Sequence, residues 1–306
     1  MITNFKIFEV QENRIDTTPL SKDEANNIVK ENCKDFNRKD KQIFRGIYLP
    51  KQPYLIDPKK HHRLSANADN YYNMIIDNSV LWKDYPKRKH SLIGTFAKFQ
   101  AIPYGTIFRV VPFDGAKFGV VPHGEDMWQS FNYLYLKTGV GELNYVDVLI
   151  DDFNQALFEQ KLNHLVYNIF TNQLTKMEDE IRKNYNVSLN KISKYYGDFG
   201  VKKDRYSNVF DSFDYFSRPG KEYYKKFFYY ISDQIVMKNK SLISVLEDLL
   251  SPSKNGFQLL DYKPLLKREG KGADSVPEVW TDSKCILIPE FDLDFELAGN
   301  LHGFKV

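Results

Sequence analysis

Residues 107–121 read IFRVVPFDGAKFGVV, two runs of β-branched and aromatic residues interrupted by Pro112 and Gly115. Valine, isoleucine and phenylalanine favour extended backbone, whereas proline and glycine are typical of the turns that join strands. The stretch from Thr106 to Val121 therefore predicts short strands with tight connections. A sheet built from such strands is the starting point for placing the rest of the chain.

Strands and helices are both predicted on either side of this stretch. The run Ile43–Leu49 is typical of a buried strand, and Ser91–Phe99 is typical of another. Ser21 can cap a helix that continues to Cys33, because apolar residues recur there at helical spacing. Further strands are predicted at Met1–Val10, Cys285–Pro289 and Asp292–Leu297, and a further helix at Asn67–Asn78.

The middle of the chain has a different pattern. From Asp126 to about Leu250 apolar residues recur at helical spacing, as in Trp128 and Phe131, and a loop is predicted at Ser251–Gly256. The prolines between residues 50 and 58 predict another loop. The sequence therefore predicts an α+β fold. Residues 1–125 form the first part of a core, 126–256 a large inserted helical region, and 257–306 the final strands of the core.

Composition and residue spacing give no positive sign of several functional classes. The 306 residues include 43 Lys and Arg against 40 Asp and Glu, a net charge near +3, which is too small to indicate a nucleic-acid or membrane partner. No segment approaches the ~20 apolar residues of a membrane helix. Cys33 and Cys285 lack metal spacing, so we expect free thiols in a reducing compartment. His61, His62 and His123 have no Glu or His at ligand spacing, so no metal is expected.

Three segments carry candidate chemistry. They are Ile43-Phe44-Arg45-Gly46-Ile47, Ser91-Leu92-Ile93-Gly94-Thr95-Phe96 and Glu278-Val279-Trp280. An arginine fork suits phosphate oxygens, a hydroxyl can orient a sugar, and a carboxylate can stabilise a developing cation. Each residue also has an ordinary interpretation: Arg45 in a salt bridge at a strand end, Thr95 present for β propensity, and Glu278 solvated before a strand.

In this order, and with the strand, Pro112 and Gly115 turn between them, the segments resemble the mono-ADP-ribosyltransferases of the arginine-serine-glutamate type. The resemblance implies an ADP-ribosyltransferase-like split β-sheet core and NAD as substrate, cleaved at the nicotinamide-ribose bond. It implies Glu278 as the residue that stabilises the oxocarbenium-like transition state. Arg45 with Gly46 is then expected to bind the phosphates, and Thr95 with Ser91 to orient the ribose or the glutamate.

The chain departs from the family pattern at two places. Gly94 occupies the first position of the usual Ser-Thr-Ser triplet, and Val276 stands where a Gln or Glu often precedes the catalytic glutamate by two residues. Arginine is therefore not supported as the acceptor. If the acidic pair is instead counted forward from Glu278, Trp280 replaces its second member, and the protein is a transferase-shaped binder without chemistry.

Segments between the first two motifs resemble a group of phage-encoded proteins with this signature. They include Arg63-Leu64-Ser65, Tyr71-Tyr72 and the run from Trp82 to Arg88. Arg63 with Tyr71 and Tyr72 is a candidate sandwich for nicotinamide or adenine, although a tyrosine pair on a helix is more often core. Lys87-Arg88-Lys89-His90 is interpreted as a solvated or phosphate-contacting edge.

Two functions follow from these observations. The preferred one is a phage mono-ADP-ribosyltransferase that uses NAD to modify a host protein or nucleic acid, in the host cytoplasm or with the virion, without a membrane or metal. The alternative is a non-enzymatic phage structural or host-factor-binding protein with a degraded transferase fold.

Overall fold

A computed structural model describes residues 17–60, 70–122, 126–139, 233–268 and 277–290, together with positions 172, 176, 179 and 230. These residues form helices and an antiparallel sheet, which confirms the α+β class. The chain divides into two compact units. The first draws on Met1–Ala66, Asp84–Met127 and Gly256–Val306, and the second on Asn67–Lys83 and Trp128–Asn255.

Nine short strands are described in the first unit. In chain order they are β1 (Thr17–Pro19), β2 (Ile43–Ile47), β3 (Tyr54–Ile56), β4 (Leu92–Thr95), β5 (Thr106–Pro112), β6 (Lys117–Val120), β7 (Gln258–Asp261), β8 (Glu278–Thr281) and β9 (Cys285–Pro289). They form one sheet in the order β1-β3-β9-β5-β2-β4-β8-β6-β7, and every neighbouring pair is antiparallel. The strands that carry the three motifs, β2, β4 and β8, are therefore side by side in the middle of the sheet.

Seven α-helices are described. They are α1 (Lys22–Asn32), α2 (Asn70–Asn78), α3 (Lys98–Ala101), α4 (Asn132–Thr138), α5 (Leu242–Leu249), α6 (Pro252–Asn255) and α7 (Tyr262–Leu266). The predicted start of α1 is confirmed: the Glu24 amide donates to Ser21 Oγ, and the Ser21 amide donates back to Glu24 Oε2 at 2.8 Å. This capping box satisfies donors that the first helical turn would otherwise leave open.

The two faces of the sheet are covered by two apolar clusters. One cluster joins alternate residues of the central strands, among them Ile43, Phe108 and Val279. The other packs α1 against the opposite face of β5 and β9 through Val29 and Ile286. Successive side chains of a strand point to opposite faces, so neighbouring residues of one strand belong to different clusters.

The second unit has its own aromatic and amide contacts. Trp128 stacks on Phe131 with ring centres 6.2 Å apart. The Trp82 Nε1 donates to the Leu250 carbonyl at 3.0 Å. Asn255 donates to the carbonyls of Leu249 and Ser251, and its Oδ1 accepts from the Tyr133 amide at 2.8 Å. Ser241 caps α5, because its Oγ accepts from the Ser244 amide at 3.2 Å.

Several predicted boundaries are wrong. The strand predicted over Ser91–Phe99 stops at Thr95 and α3 follows, because the Ala97 amide donates to Thr95 Oγ1 at 3.1 Å and turns the chain. The loop predicted between the prolines contains β3, and the loop predicted at Ser251–Gly256 contains α6. β7 was not predicted. The predicted strands Met1–Val10 and Asp292–Leu297 lie outside the described residues.

Candidate functional site

Thr95 and Glu278 lie directly opposite each other in the sheet. Thr95 is the last residue of β4 and Glu278 the first of β8, and the register pairs them. Opposed residues of antiparallel strands have Cα atoms about 4.5–5.5 Å apart and side chains on the same face. The predicted hydroxyl and carboxylate are thus brought together, although they are 183 positions apart in the sequence.

The Arg45 side chain projects from the opposite face of the sheet. The β2 residue opposite Thr95 is Phe44, so the next residue, Arg45, points the other way, beside its β5 partner Phe108. We call this the Arg45 face, and the face with Phe44, Thr95 and Glu278 the Glu278 face. The sheet therefore brings the three strands together without placing the three side chains on one face.

The guanidinium of Arg45 nevertheless contacts Tyr104, whose Cβ lies on the Glu278 face. It lies over the ring of Tyr104, 5.2 Å from the ring centre. A Cβ placed on Gly46 would be 2.9 Å from the Tyr104 Cβ, which puts the base of that tyrosine on the Glu278 face. The register pairs β2 with β4 through Phe44 and Thr95. Arg45, the next residue of β2, therefore lies where β4 begins to diverge from β2.

Gly46 is covered by the chain itself. A Cβ at this position would lie 1.9 Å from the Ala101 carbonyl oxygen, so the absence of a side chain allows the backbone of α3 to approach β2. The family resemblance implies that the backbone at Gly46 lies close to the bound phosphates. In the structure, that space on the Glu278 face is taken by α3 and the turn after it.

Glu278 forms an ion pair with Arg88. Arg88 Nη1 is 2.9 Å from Glu278 Oε1, and the two side chains are 1% and 14% exposed. The Arg88 guanidinium also lies over the Trp280 ring, 5.0 Å from its centre. The interpretation of residues 87–90 as a solvated edge is therefore wrong for Arg88, because its charge is paired with a carboxylate and its plane covers an indole.

Trp280 anchors the strand that begins with Glu278. It is fully buried, its ring stacks with Tyr85 at 6.2 Å, and its Nε1 donates to the Pro86 carbonyl at 2.9 Å. Gly119, its partner on β6, leaves room for the ring, because a Cβ there would lie 2.1 Å from the indole. Burial raises the pKa of Tyr85, whose hydroxyl donates to the Phe257 carbonyl, so this phenol stays protonated.

The hydroxyls predicted for the site are engaged in local hydrogen bonds. Thr95 Oγ1 contacts Gln100 Oε1 and accepts from the Ala97 amide, so it holds the turn into α3. Ser91 Oγ donates to the Arg88 carbonyl at 2.8 Å. Ser91 precedes β4 while Thr95 ends it, about 13 Å away at the usual strand rise. Ser91 thus supports the backbone of Arg88 and lies far from Thr95.

Of the remaining predicted binding residues, the structure describes the side chain of Tyr72. Tyr72 is fully buried in the second unit, with its ring 6.4 Å from that of Trp128, which matches the core interpretation of this tyrosine. Arg63, Val276 and the side chain of Tyr71 lie outside the described residues. Among the residues that the structure describes, no helix is long and apolar enough to cross a membrane, and no group of three His, Cys, Asp or Glu could hold a metal.

The arrangement offers a carboxylate, a neighbouring hydroxyl and two arginines around the middle of the sheet. The Arg88 partner could not be found by spacing, since it lies 190 residues before Glu278 and in a segment that is predicted to be solvated. Compared with known proteins, the chain has no match among family models, curated proteins or solved structures. Its function therefore has to be argued from this geometry.

Proposed function

We propose that the chain is an NAD-consuming mono-ADP-ribosyltransferase with an ADP-ribosyltransferase-like core. The observation that supports this function is the position of β2, β4 and β8, which lie side by side and place Thr95 opposite Glu278. The three motifs are far apart in the sequence, and a protein that uses them together needs them in one place. The phage origin and host setting implied by the sequence resemblance belong to the same proposal.

In this proposal Glu278 acts on the ribose. The bond between the anomeric carbon and the nicotinamide nitrogen breaks, and nicotinamide leaves with the bonding electrons. The carboxylate of Glu278 stabilises the positive charge that develops on the ribose. An acceptor nucleophile then bonds to the anomeric carbon and loses its proton. Thr95 orients the sugar beside the carboxylate, and Arg45 binds phosphate from the middle of β2.

The test is transfer of label from NAD in a bacterial lysate, with the parent chain compared with Glu278→Gln. We expect labelled macromolecules or released nicotinamide with the parent and neither with the variant. Glu290→Gln is a matched control, because Glu290 is also 14% exposed and also ion-paired with an arginine, Arg109, at 2.8 Å. It should keep parental turnover. A parent that neither transfers nor hydrolyses would end the proposal.

A second candidate function is supported by the ion pair itself. Arg88 neutralises the Glu278 carboxylate at 2.9 Å, as a purely structural pair would, and Arg45 leaves from the other face. A non-enzymatic phage structural or host-factor-binding protein accounts for both facts. This alternative predicts that calorimetric titration of the parent with NAD shows no binding, and that Glu278→Gln changes stability alone.

A further inference from the structure

The first serine of the family triplet cannot be accommodated at position 94. A Cβ on Gly94 would lie 2.5 Å from Ile43 Cγ2 and 3.2 Å from the Phe44 carbonyl oxygen. Gly94 also pairs with Val279, so any side chain there would point to the Arg45 face and away from Glu278. Position 94 therefore cannot supply a group that orients the carboxylate of Glu278.

Arg88 contacts that carboxylate on its own face of the sheet. Its Nη1 lies 2.9 Å from Glu278 Oε1, and that oxygen is buried. The Glu278 side chain remains 14% exposed, so its exposed part lies away from Oε1. Part of the Glu278 side chain other than Oε1 therefore faces solvent.

The guanidinium is itself held from several directions. It stacks on Trp280, which belongs to the same strand as Glu278. The Arg88 carbonyl accepts from Ser91 Oγ at 2.8 Å, and the Pro86 carbonyl accepts from Trp280 Nε1 at 2.9 Å. Because backbone and side chain are both fixed, the cation presents one position to Glu278. A group held in this way loses little freedom when it orients a reacting carboxylate.

We propose that Arg88 is a positioning residue for Glu278 and takes the part of the serine that Gly94 replaces. It holds Oε1 of that carboxylate in place from the Glu278 face while Glu278 acts on the ribose. This inference rests on the proposed transferase activity. It gives the buried ion pair a role in turnover, whereas a structural pair would affect stability alone.

The test compares Arg88→Met and Arg88→Lys with the parent. Calorimetry measures the Kd for NAD, and nicotinamide release measures kcat. We expect Arg88→Met to lower kcat about 100-fold while Kd stays within about threefold, since the change removes orientation and not NAD contacts. Arg88→Lys should recover about tenfold of the lost kcat. The lysine variant keeps a positive charge beside Glu278. The positioning role can therefore still be tested if the methionine variant does not fold.

Arg109→Met is the matched control. It removes an arginine from a comparable ion pair, with Glu290 at 2.8 Å, and should leave kcat within about twofold. An active parent whose kcat is unchanged in both Arg88 variants would overturn the positioning role and leave the proposed function standing. The same role would be overturned if Arg88→Met weakened NAD binding in proportion to kcat. A parent without turnover would overturn the proposed function and this inference with it.

Discussion

The two faces of the central sheet differ in chemistry although the same strands form both. On the Arg45 face, Ile43, Phe108 and Val279 belong to one large apolar cluster. On the Glu278 face, one row of opposed residues runs from Arg109 through Phe44 and Thr95 to Glu278. The comparison shows that the order of strands in the sheet brings the three motifs together. The register between the strands decides which of their side chains share a face.

The largest effect is expected from a change on the apolar face. Phe108 is fully buried and meets Tyr54 edge to face at 5.9 Å. Phe108→Ala should lower the free energy of unfolding by about 3–5 kcal/mol, measured by denaturant titration, because a cavity remains. Phe99, which is 65% exposed, supplies the control, and Phe99→Ala should cost less than about 0.5 kcal/mol. Equal costs would contradict the described packing.

Restoring a serine at position 94 tests why the triplet is incomplete. Gly94→Ser should destabilise the protein by about 1–3 kcal/mol, because its Cβ would press against Ile43. Gly94→Ala should cost about the same, since the Cβ and not the hydroxyl causes the clash. If the serine variant were as stable as the parent and turned over NAD faster, position 94 would belong to the active face after all.

Arg45→Ala tests whether the two faces cooperate in binding. If its guanidinium contacts the phosphates of NAD, the change should weaken NAD binding about tenfold, or about 1.4 kcal/mol by calorimetry. Glu278→Gln should keep the affinity within about threefold, and the exposed Arg38→Ala should leave it unchanged. If Arg45→Ala bound NAD as tightly as the parent, this arginine would pack on Tyr104 without contacting NAD.

The smallest effect is expected from alkylation of the two thiols, one in each apolar cluster. Burial, followed by the nearby Asp114, raises the pKa of Cys33 to about 12. Burial, followed by Cys33, raises the pKa of Cys285 well above its usual value. The thiolate is the reactive form, so at pH 8 iodoacetamide should label neither folded thiol. Both should react in denaturant, and mass spectrometry gives the count. Rapid labelling of one thiol would show that its face opens.

Local sequence signals predicted much of the fold. Ser21 with Glu24 marked the start of α1, and the alternation around Pro112 and Gly115 marked β5 and β6. Two of the failures share a cause. β3 and β7 are short strands whose pairing partners supply their hydrogen bonds, so proline-rich or polar local sequence hid them. The end of β4 was missed because a side-chain bond of Thr95 turns the chain.

The sequence by itself determined which residue types are available: an arginine on a buried strand, a threonine at the end of another, and a glutamate at the start of a third. Their local patterns are short-range, and short-range patterns set strands and helix ends. Only the tertiary structure decided that Thr95 faces Glu278, that Arg45 leaves on the other side, and that Arg88 holds the carboxylate. Side chains alternate between the two faces of a strand, so a shift of one residue in the pairing moves each side chain to the other face. A local sequence pattern does not show which strand is the partner or in which register it pairs.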